Sequence, residues 1–214
     1  MCADKITVIY NGVDLKGIRN LTGKKARSEL DLSQSQKYLL SVHNLVAKKR
    51  TESLLQSFKS IQSLFPDWKL LIAGDGPNKE RLQSQIQKED IRAELVGHVT
   101  DDVLYSLYNA SSAFALNSIN ETLPMVYLES MAAGLPLCVS RSGHTNEIVS
   151  HGKQALLSDE LDDEGFKQNV EKVLSDDNLR TQLGANARES ANQYSWKAIT
   201  DEVLSVYNEV LNHR

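Results

Sequence analysis

The 214-residue chain has few cysteines and no long apolar run, and each scarcity excludes a class of protein. Its two cysteines, Cys2 and Cys138, are too few for a disulfide framework, so we expect a reducing, cytoplasmic compartment. No stretch approaches the roughly 20 apolar residues of a membrane span, and the first residues, MCADKITVIYNG, lack the apolar core of a signal peptide. The net charge of −4 argues against a nucleic-acid-binding protein, which needs a basic face for phosphate contacts.

Familiar catalytic and metal-binding signatures are absent as well. The histidines at 43, 98, 144 and 151 lack metal-ligand spacing, and Cys138 lies in the apolar run LPLCVS, where a small buried thiol is the default interpretation. We therefore expect no metal site. The turn GDGP is neither a Walker loop nor a G-x-G-x-x-G motif, and no G-x-S-x-G nucleophile elbow occurs.

What the chain does contain is an alternation of short strands and helices. Strands are predicted at KITVIYN, KYLLSVH, WKLLIAG, AELVGH, SAFALNS, PLCVS and QALLS, with helical patterns between most of them. This spacing indicates βαβ units, hence a Rossmann-like α/β fold with a mostly parallel sheet and helices on both faces. From about Asp162 only helices are predicted, and one carries an apolar stripe over residues 196–211. We expect one domain, with a core at 5–160 and C-terminal helices at 161–214.

Ligands of such sheets bind at the carboxyl ends of the strands. One of the loops expected there leads into the segment NETLPMVYLESMAAGLP. Pro124 suits the first position of a helix that spans Met125 to Ala133 and stops at Gly134. The free N–H groups at the start of this helix suit a phosphate.

Two carboxylates, Glu121 and Glu129, stand eight positions apart in this segment, so they are not an i, i+4 pair on one helix face. Their positions fit two contacts on one elongated ligand that crosses the helix N-terminus. The alternative is structural: Glu121 complements the helix dipole and Glu129 is solvated. Two further features stay open: GDGP is a tight turn or a close approach to a ligand, and Lys49 is a phosphate counter-charge or a solvated side chain.

Five segments together resemble a known family. VIYNGVD, GDGPNKERL, LVGHVTDDVLYSLYNAS, ETLPMVYLESMAAGLPLCVS and GKQALL occur in this order. They resemble the nucleotide-sugar-binding half of a retaining "group 1" (family 4) glycosyltransferase, which has the two-Rossmann GT-B architecture. The resemblance covers residues 6–211, and its most specific element is E-x7-E, from Glu121 to Glu129, followed by SMAAGLP.

The resemblance implies a role for each matching position. Glu121 would face the hydroxyls of the donor sugar, and Lys49 would neutralise the leaving diphosphate; these are the predicted catalytic residues. Glu129 would bind the ribose hydroxyls. The remaining donor-binding residues, which would take the diphosphate or frame the base and crevice, are Asn44, Gly74, Asp75, Gly97, His98, Thr122, Leu123, Pro124, Met125 and Val126. The implied substrate is a nucleoside-diphosphate sugar, with UDP favoured over GDP or ADP, and no metal cofactor is required.

The sequence departs from the family pattern at several of these positions. Asn44 stands where an arginine usually grips the diphosphate, which removes a charge-assisted bidentate contact. Arg50 stands where glycine is usual and is expected to compensate in part. Thr122 and His144 also replace common glycines. Donor affinity is the property that these changes are expected to weaken.

Members of the family are about twice as long as this chain. The resemblance therefore implies an acceptor-binding domain before KITVIYNGVD, against which the Trp196 helix would pack and through which any membrane association would occur. We expect the chain alone to bind donor weakly without turnover. Two alternatives remain open: a sugar-nucleotide 2-epimerase, and a non-catalytic nucleotide-binding or interaction module, which the neutral Asn44 favours.

Overall fold

A single six-stranded sheet forms the centre of the computed structural model, which describes residues 6–122 and 124–212. The strands are β1 Lys37–Val42, β2 Trp68–Ala73, β3 Ala93–Gly97, β4 Ala113–Leu116, β5 Leu137–Ser140 and β6 Ala155–Ser158. Every neighbouring pair is parallel, and the order across the sheet is β3-β2-β1-β4-β5-β6. This is the doubly wound order of a Rossmann fold, so the predicted fold class is confirmed.

Ten α-helices accompany the strands in the described part of the chain. They are α1 Leu15–Ile18, α2 Gly23–Glu29, α3 Thr51–Ile61, α4 Lys79–Lys88, α5 Asp101–Ala110, α6 Met125–Ala133, α7 Thr145–Ile148, α8 Asp163–Ser175, α9 Asp177–Ser190 and α10 Trp196–Asn212. The described residues also form two 3-10 helices, Ala47–Lys49 and Ala191–Tyr194.

Side chains of the central strands alternate between two apolar layers, as the pleat of a strand requires. Leu39 packs with Phe58 of α3 in one layer, whereas Leu40 packs with Tyr127 of α6 in the other. Both faces of the sheet are therefore covered by helices. Cys138 is fully buried in the first layer, and burial raises the pKa of its thiol, which confirms the interpretation of a small buried thiol.

The N-terminal segment differs from the prediction. KITVIYN was predicted as a strand, but residues 6–12 form no strand, and Ile6 and Val8 are largely exposed. Only Val13 makes a bridge, and its partner is Ser195 rather than the sheet. Apolar residues alternate here, but no strand among the described residues pairs with them, and β-propensity alone does not form a sheet.

The short helices α1 and α2 were not predicted. Both are capped at their N-termini by side chains, since Asp14 accepts from the amide of Gly17 and Thr22 accepts from the amide of Lys25. Such caps are the local signal from which these helices can be found.

The apolar stripe of α10 is mostly uncovered. Ile199 is buried, whereas Trp196, Tyr207, Val210 and Leu211 are each more than half exposed. Within the described residues, no helix has the length and apolar character needed to cross a membrane.

The direction in which successive strands are added to the sheet reverses between β1 and β4. The chain winds outward from β1 through β2 to β3, then returns to place β4 on the other side of β1. The loops that follow β1 and β4 therefore diverge and leave a crevice at their carboxyl ends, where ligands of doubly wound folds bind.

Candidate active site

A cavity of about 440 Å³ opens at this switch point. Its walls come from the loops after β1, β2, β3 and β4 and from the start of α6. The residues that line it are Val42, His43, Asn44, Lys49, Ala73, Gly74, His98, Val99, Asp101, Leu104, Glu121, Pro124, Met125 and Val126. Eight of the predicted site residues thus come together: Lys49, Glu121, Asn44, Gly74, His98, Pro124, Met125 and Val126.

An ion pair crosses the cavity. The Lys49 ammonium lies 2.6 Å from Oε1 of Glu121, and their side chains are only 15% and 8% exposed. Lys49 ends the 3-10 helix after β1, whereas Glu121 follows β4. The cavity therefore holds a positive and a negative charge together, and its lining also includes the N-terminus of α6.

The backbone of Glu121 is fixed by the loop after β5. Its amide donates to Oγ of Ser142 at 2.9 Å, and its carbonyl accepts from the amide of His144 at 3.3 Å. Gly143 has a left-handed φ of +54°, and a Cβ there would lie 1.7 Å from the Glu121 carbonyl oxygen. Only glycine allows this approach, so the position of Glu121 depends on Gly143.

A backbone hydrogen bond links the two walls of the cavity. The amide of Ile119, in the loop after β4, donates to the carbonyl of Lys48, in the loop after β1, at 3.0 Å. Asn120 follows in the left-handed conformation, and its amide donates to Glu160 at 3.0 Å. The loop that carries Glu121 is therefore held from both sides.

Helix α6 begins where the sequence places it, with one difference. Pro124 is the N-cap residue rather than the first helical residue, and its carbonyl accepts from the amide of Tyr127 at 2.9 Å. Met125 and Val126 occupy the first helical positions, whose N–H groups have no intrahelical partner. The helix ends at Gly134 with a φ of +82°, as predicted. Leu123 lies outside the described residues.

Glu129 lies on α6, one turn beyond Met125. It does not line the cavity, and it is half-buried rather than solvated. The buried Tyr108 hydroxyl donates to Oε2 of Glu129 at 2.7 Å. Burial raises the pKa of Glu129, the hydrogen bond from Tyr108 opposes that rise, and the charge of Asp101 adds to it. Sequence analysis did not predict this contact between Tyr108 and Glu129.

The glycine-rich turn GDGP packs against the loop after β1. Gly74 has a φ of +139°, and a Cβ there would lie 1.9 Å from the carbonyl oxygen of His43. Asp75 was predicted to line the crevice, but it is exposed and paired with Lys79 at 2.6 Å. The hydrogen bonds from Lys79 and from the Gly76 amide lower the pKa of Asp75. The turn therefore shapes the cavity through Gly74 alone.

Two more predicted residues lie outside the cavity lining. Gly97, with a φ of +85°, precedes His98, which does line the cavity. Thr122 is exposed and likewise absent from the lining. His144 also points elsewhere, because its ring bonds to the Glu147 carboxylate at 2.6 Å.

Arg50, which was expected to compensate in part for Asn44, is paired elsewhere in the structure. Its Nη2 donates to both carboxylate oxygens of Asp163 at 2.8 Å, and Arg50 does not line the cavity. Its backbone has a left-handed φ of +47°, which is the conformation that glycine adopts most easily. Asn44 is in the lining, so the cavity has an amide where the family pattern has a guanidinium.

His43 lines the cavity, although sequence analysis gave it no role. Its side chain is buried, its Nδ1 lies 3.1 Å from the carbonyl oxygen of Asn44, and its Nε2 has no hydrogen-bond partner in the described part of the chain. Burial lowers its pKa to about 4. The ring is therefore neutral at pH 7. The sequence shows only that a histidine follows β1, not that it is buried.

Across residues 6–122 and 124–212, no three His, Cys, Asp or Glu side chains are grouped as metal ligands. The cavity offers the charges of the Lys49–Glu121 pair, the N–H groups at the start of α6 and the neutral imidazole of His43. The side chains of Asn44, His98 and Asp101 add further polar groups to its lining.

Comparison with known proteins identifies the family to which the chain is similar. A family model described as "Glycosyl transferases group 1" matches residues 23–190. An uncharacterized glycosyltransferase of Methanocaldococcus jannaschii is 30% identical over 211 residues, which is 95% of this chain and 54% of that protein. The chain spans about half the length of the curated relatives it matches.

Solved structures agree on the fold. Sucrose-phosphate synthase from Thermosynechococcus elongatus superposes with a TM-score of 0.85 at 24% identity, covering 97% of this chain and 53% of that one. HepE from Anabaena, solved in complex with UDP-glucose, superposes with a TM-score of 0.82 at 20% identity, covering 95% and 57%.

Proposed function

Because the chain belongs to the group 1 glycosyltransferases, we propose that it binds the nucleoside-diphosphate sugar of a retaining sugar transfer. The observation that carries this proposal is the buried Lys49–Glu121 pair beside the start of α6, at the switch point of the sheet. The pair brings a cation for the diphosphate and an anion for sugar hydroxyls into one cavity. HepE was solved with UDP-glucose, which supports a UDP-sugar as the donor.

The diphosphate fits the N-terminus of α6. The amides of Met125 and Val126 and the ammonium of Lys49 supply hydrogen bonds and positive charge where a phosphate needs them. Pro124 has no N–H to offer, so the contacts come from its neighbours. Lys49 and this helix end take the charge-neutralising role that a metal has in other transferases, and we propose that no metal is required.

Glu129 is proposed to bind the ribose hydroxyls. The hydrogen bond from Tyr108 holds one oxygen of its carboxylate and leaves the other free to accept. Although Glu129 does not line the cavity, it lies one turn along α6 from Met125, which does. A nucleotide whose diphosphate lies at the helix N-terminus reaches Glu129 by extending along α6.

Transfer itself requires a second wall for the crevice. We propose that an acceptor-binding domain supplies it and that the chain alone does not turn over. Two observations support this: the chain spans about half of its relatives, and α10 exposes Trp196, Tyr207, Val210 and Leu211. An apolar helix face of this kind suits a partner domain. In this proposal residues 5–160 form the donor-binding core and 161–214 the helices that complete the interface, while acceptor type, membrane association and compartment depend on the full protein.

Calorimetric titration of the chain with UDP, UDP-glucose, GDP and ADP tests the proposal. We expect UDP and UDP-glucose to bind, and Glu129→Ala to weaken UDP binding about tenfold, as the loss of a charge-assisted hydrogen bond does. Glu121→Ala should change selectivity among UDP-sugars more than it changes UDP affinity. Equal UDP binding by the wild-type chain and Glu129→Ala would contradict the assignment.

A second measurement tests the need for a partner domain. The 214-residue chain is incubated with UDP-glucose and a panel of glycan and lipid acceptors, and products are analysed by mass spectrometry. Detectable glycoside formation would disprove the proposal that the chain alone is inactive. In the calorimetric titration, a chain that binds none of the nucleotides would instead favour a non-catalytic interaction module.

A further inference from the structure

The His43 imidazole is a polar group of the cavity that the proposed contacts leave without a role. Its side chain is 7% exposed and lines the cavity beside Asn44 and Gly74. A buried polar atom usually has a hydrogen-bond partner. The Nε2 atom of His43 has none in the part of the chain that the structure describes.

The contact of Nδ1 determines what Nε2 can do. Nδ1 lies 3.1 Å from the carbonyl oxygen of Asn44, and a carbonyl oxygen only accepts hydrogen bonds. Nδ1 therefore carries the proton, and Nε2 presents a lone pair. Because burial keeps the ring neutral, Nε2 remains an acceptor at pH 7.

The lone pair on Nε2 of His43 favours a ligand group that donates a hydrogen bond. An ionised phosphate has only acceptors, so it offers Nε2 nothing. The hydroxyls of the transferred sugar and the N–H of an acetamido group offer donors. The ribose hydroxyls of the nucleotide offer donors too, but the proposed function assigns them to Glu129. His43, Lys49 and Glu121 line the same cavity, so the ring shares that cavity with the pair proposed to face the sugar.

We infer that His43 is a specificity-determining residue that accepts a hydrogen bond through Nε2 from the transferred sugar; this inference rests on the proposed function. The contact satisfies a buried acceptor that otherwise has no partner. A ligand that lacks the donor leaves that acceptor unpaired, and discrimination of this kind is strong in buried sites. His43 thus distinguishes a nucleotide sugar from the free nucleotide, rather than gripping the diphosphate.

Two substitutions separate the two nitrogens of the ring. The amide of Asn reaches about as far as Nδ1, so His43→Asn keeps a donor to the Asn44 carbonyl and removes any group at Nε2. The longer Gln places a carbonyl oxygen near the Nε2 position, so His43→Gln keeps an acceptor there. The pair differs by one methylene group and remains polar and neutral, which makes it a matched test.

The experiment titrates the wild-type chain and both variants with UDP, UDP-glucose and UDP-N-acetylglucosamine, and thermal melting checks that each variant is folded. For the sugar nucleotide that the wild type binds most tightly, the ratio of the UDP Kd to the sugar-nucleotide Kd measures the contribution of the sugar. We expect His43→Asn to reduce this ratio about 3- to 10-fold, the range of one net hydrogen bond, with UDP affinity changed less than twofold. His43→Gln should retain most of the ratio.

Nitrogen NMR of the histidine rings gives an independent readout. In the wild type, the Nε2 resonance of His43 should shift on addition of the sugar nucleotide and stay in place on addition of UDP. Parallel losses of UDP and sugar-nucleotide affinity in His43→Asn, or an unchanged ratio, would overturn the inference while leaving the proposed function intact. A wild-type chain that binds neither UDP nor the sugar nucleotides would instead overturn the proposed function, and the inference with it.

Discussion

The ammonium of Lys49 lies 2.6 Å from the carboxylate of Glu121, and the two residues reach each other from loops on opposite sides of the switch point. Both side chains are largely buried, so each depends on the other for its charge balance. Removal of one partner from such a pair leaves an uncompensated charge, which costs more than the pair itself contributes.

A double-mutant cycle measures this dependence. We expect Lys49→Met to lower the free energy of unfolding by about 3 kcal/mol, because Glu121 is then buried without a counter-charge. Glu121→Gln should cost less, since the ammonium of Lys49 can extend toward solvent. The double variant should be more stable than the sum of the two losses predicts by at least about 1 kcal/mol. Urea unfolding gives the values, and strict additivity would show that the pair is not coupled.

Tyr108→Phe tests the support of Glu129. Loss of the hydroxyl leaves Oε2 of Glu129 without its buried donor, so we expect a loss of about 1–3 kcal/mol in stability. The weaker support of the carboxylate should also raise the Kd for UDP by about 3- to 10-fold. The control is Tyr127→Phe on α6, whose buried hydroxyl makes no hydrogen bond within the described residues. If both variants lose equal stability, the Tyr108 contact has no special role.

Arg50→Gly tests whether Arg50 serves the cavity. Glycine adopts the left-handed backbone at this position without strain, while the substitution removes the contact with Asp163. We expect the Kd for UDP to stay within twofold, because the guanidinium points away from the cavity, and stability to change by about 1 kcal/mol or less. Calorimetry with UDP provides the check. A fivefold or greater loss of affinity would restore Arg50 as the substitute for the missing arginine.

The buried His43 predicts a dependence of stability on pH. The unfolded chain binds a proton at His43 below its ordinary pKa of 6.5, whereas the folded chain does so only near pH 4. The unfolded state therefore holds more protons between these values, and stability falls as the pH is lowered from 6.5 to 4. The contribution of His43 amounts to roughly 3 kcal/mol at most.

The comparison with His43→Gln isolates this contribution, because glutamine does not titrate. We expect the free energy of unfolding, measured by urea titration at several pH values, to fall less steeply in the variant between pH 6.5 and 4. Other groups, such as Glu129 with its raised pKa, titrate alike in both proteins and cancel in the difference. Parallel curves would mean that His43 is protonated as readily in the folded chain as in the unfolded one.

Local signals in the sequence predicted the frame of the site. Pro124 and Gly134 bracket α6, and short apolar runs predicted each of the six strands, because these features depend on backbone preferences and burial on both sheet faces. The predicted strand KITVIYN was wrong for the complementary reason: residues 6–11 favour a strand, but no strand in the described part of the chain pairs with them.

Contacts between residues that lie far apart in the sequence could not be predicted from it. The Lys49–Glu121 pair joins positions 72 residues apart, and the Tyr108–Glu129 contact depends on how α5 packs against α6. The pairing of Arg50 with Asp163 was not predicted for the same reason, since Asp163 lies far along the chain and its approach is set by the packing of α8 against α3. A single sequence shows which residue types are present, whereas burial and partners are properties of the assembled sheet.

The placement of β4 beside β1 has a consequence for folding. Leu39 of β1 pairs with Ala113 of β4, and the segment that joins the two strands contains β2, β3 and their helices. The ribosome must therefore synthesise that whole segment before β4 can pair with β1. Long-range parallel pairing of this kind forms late, because the entropy of closing the intervening loop opposes it. The half-sheet of β1, β2 and β3 lacks Glu121 and α6, and so lacks one wall of the cavity. In the proposed function, nucleotide binding therefore requires that β4 has joined the sheet, and a nascent chain that ends before β4 lacks the crevice.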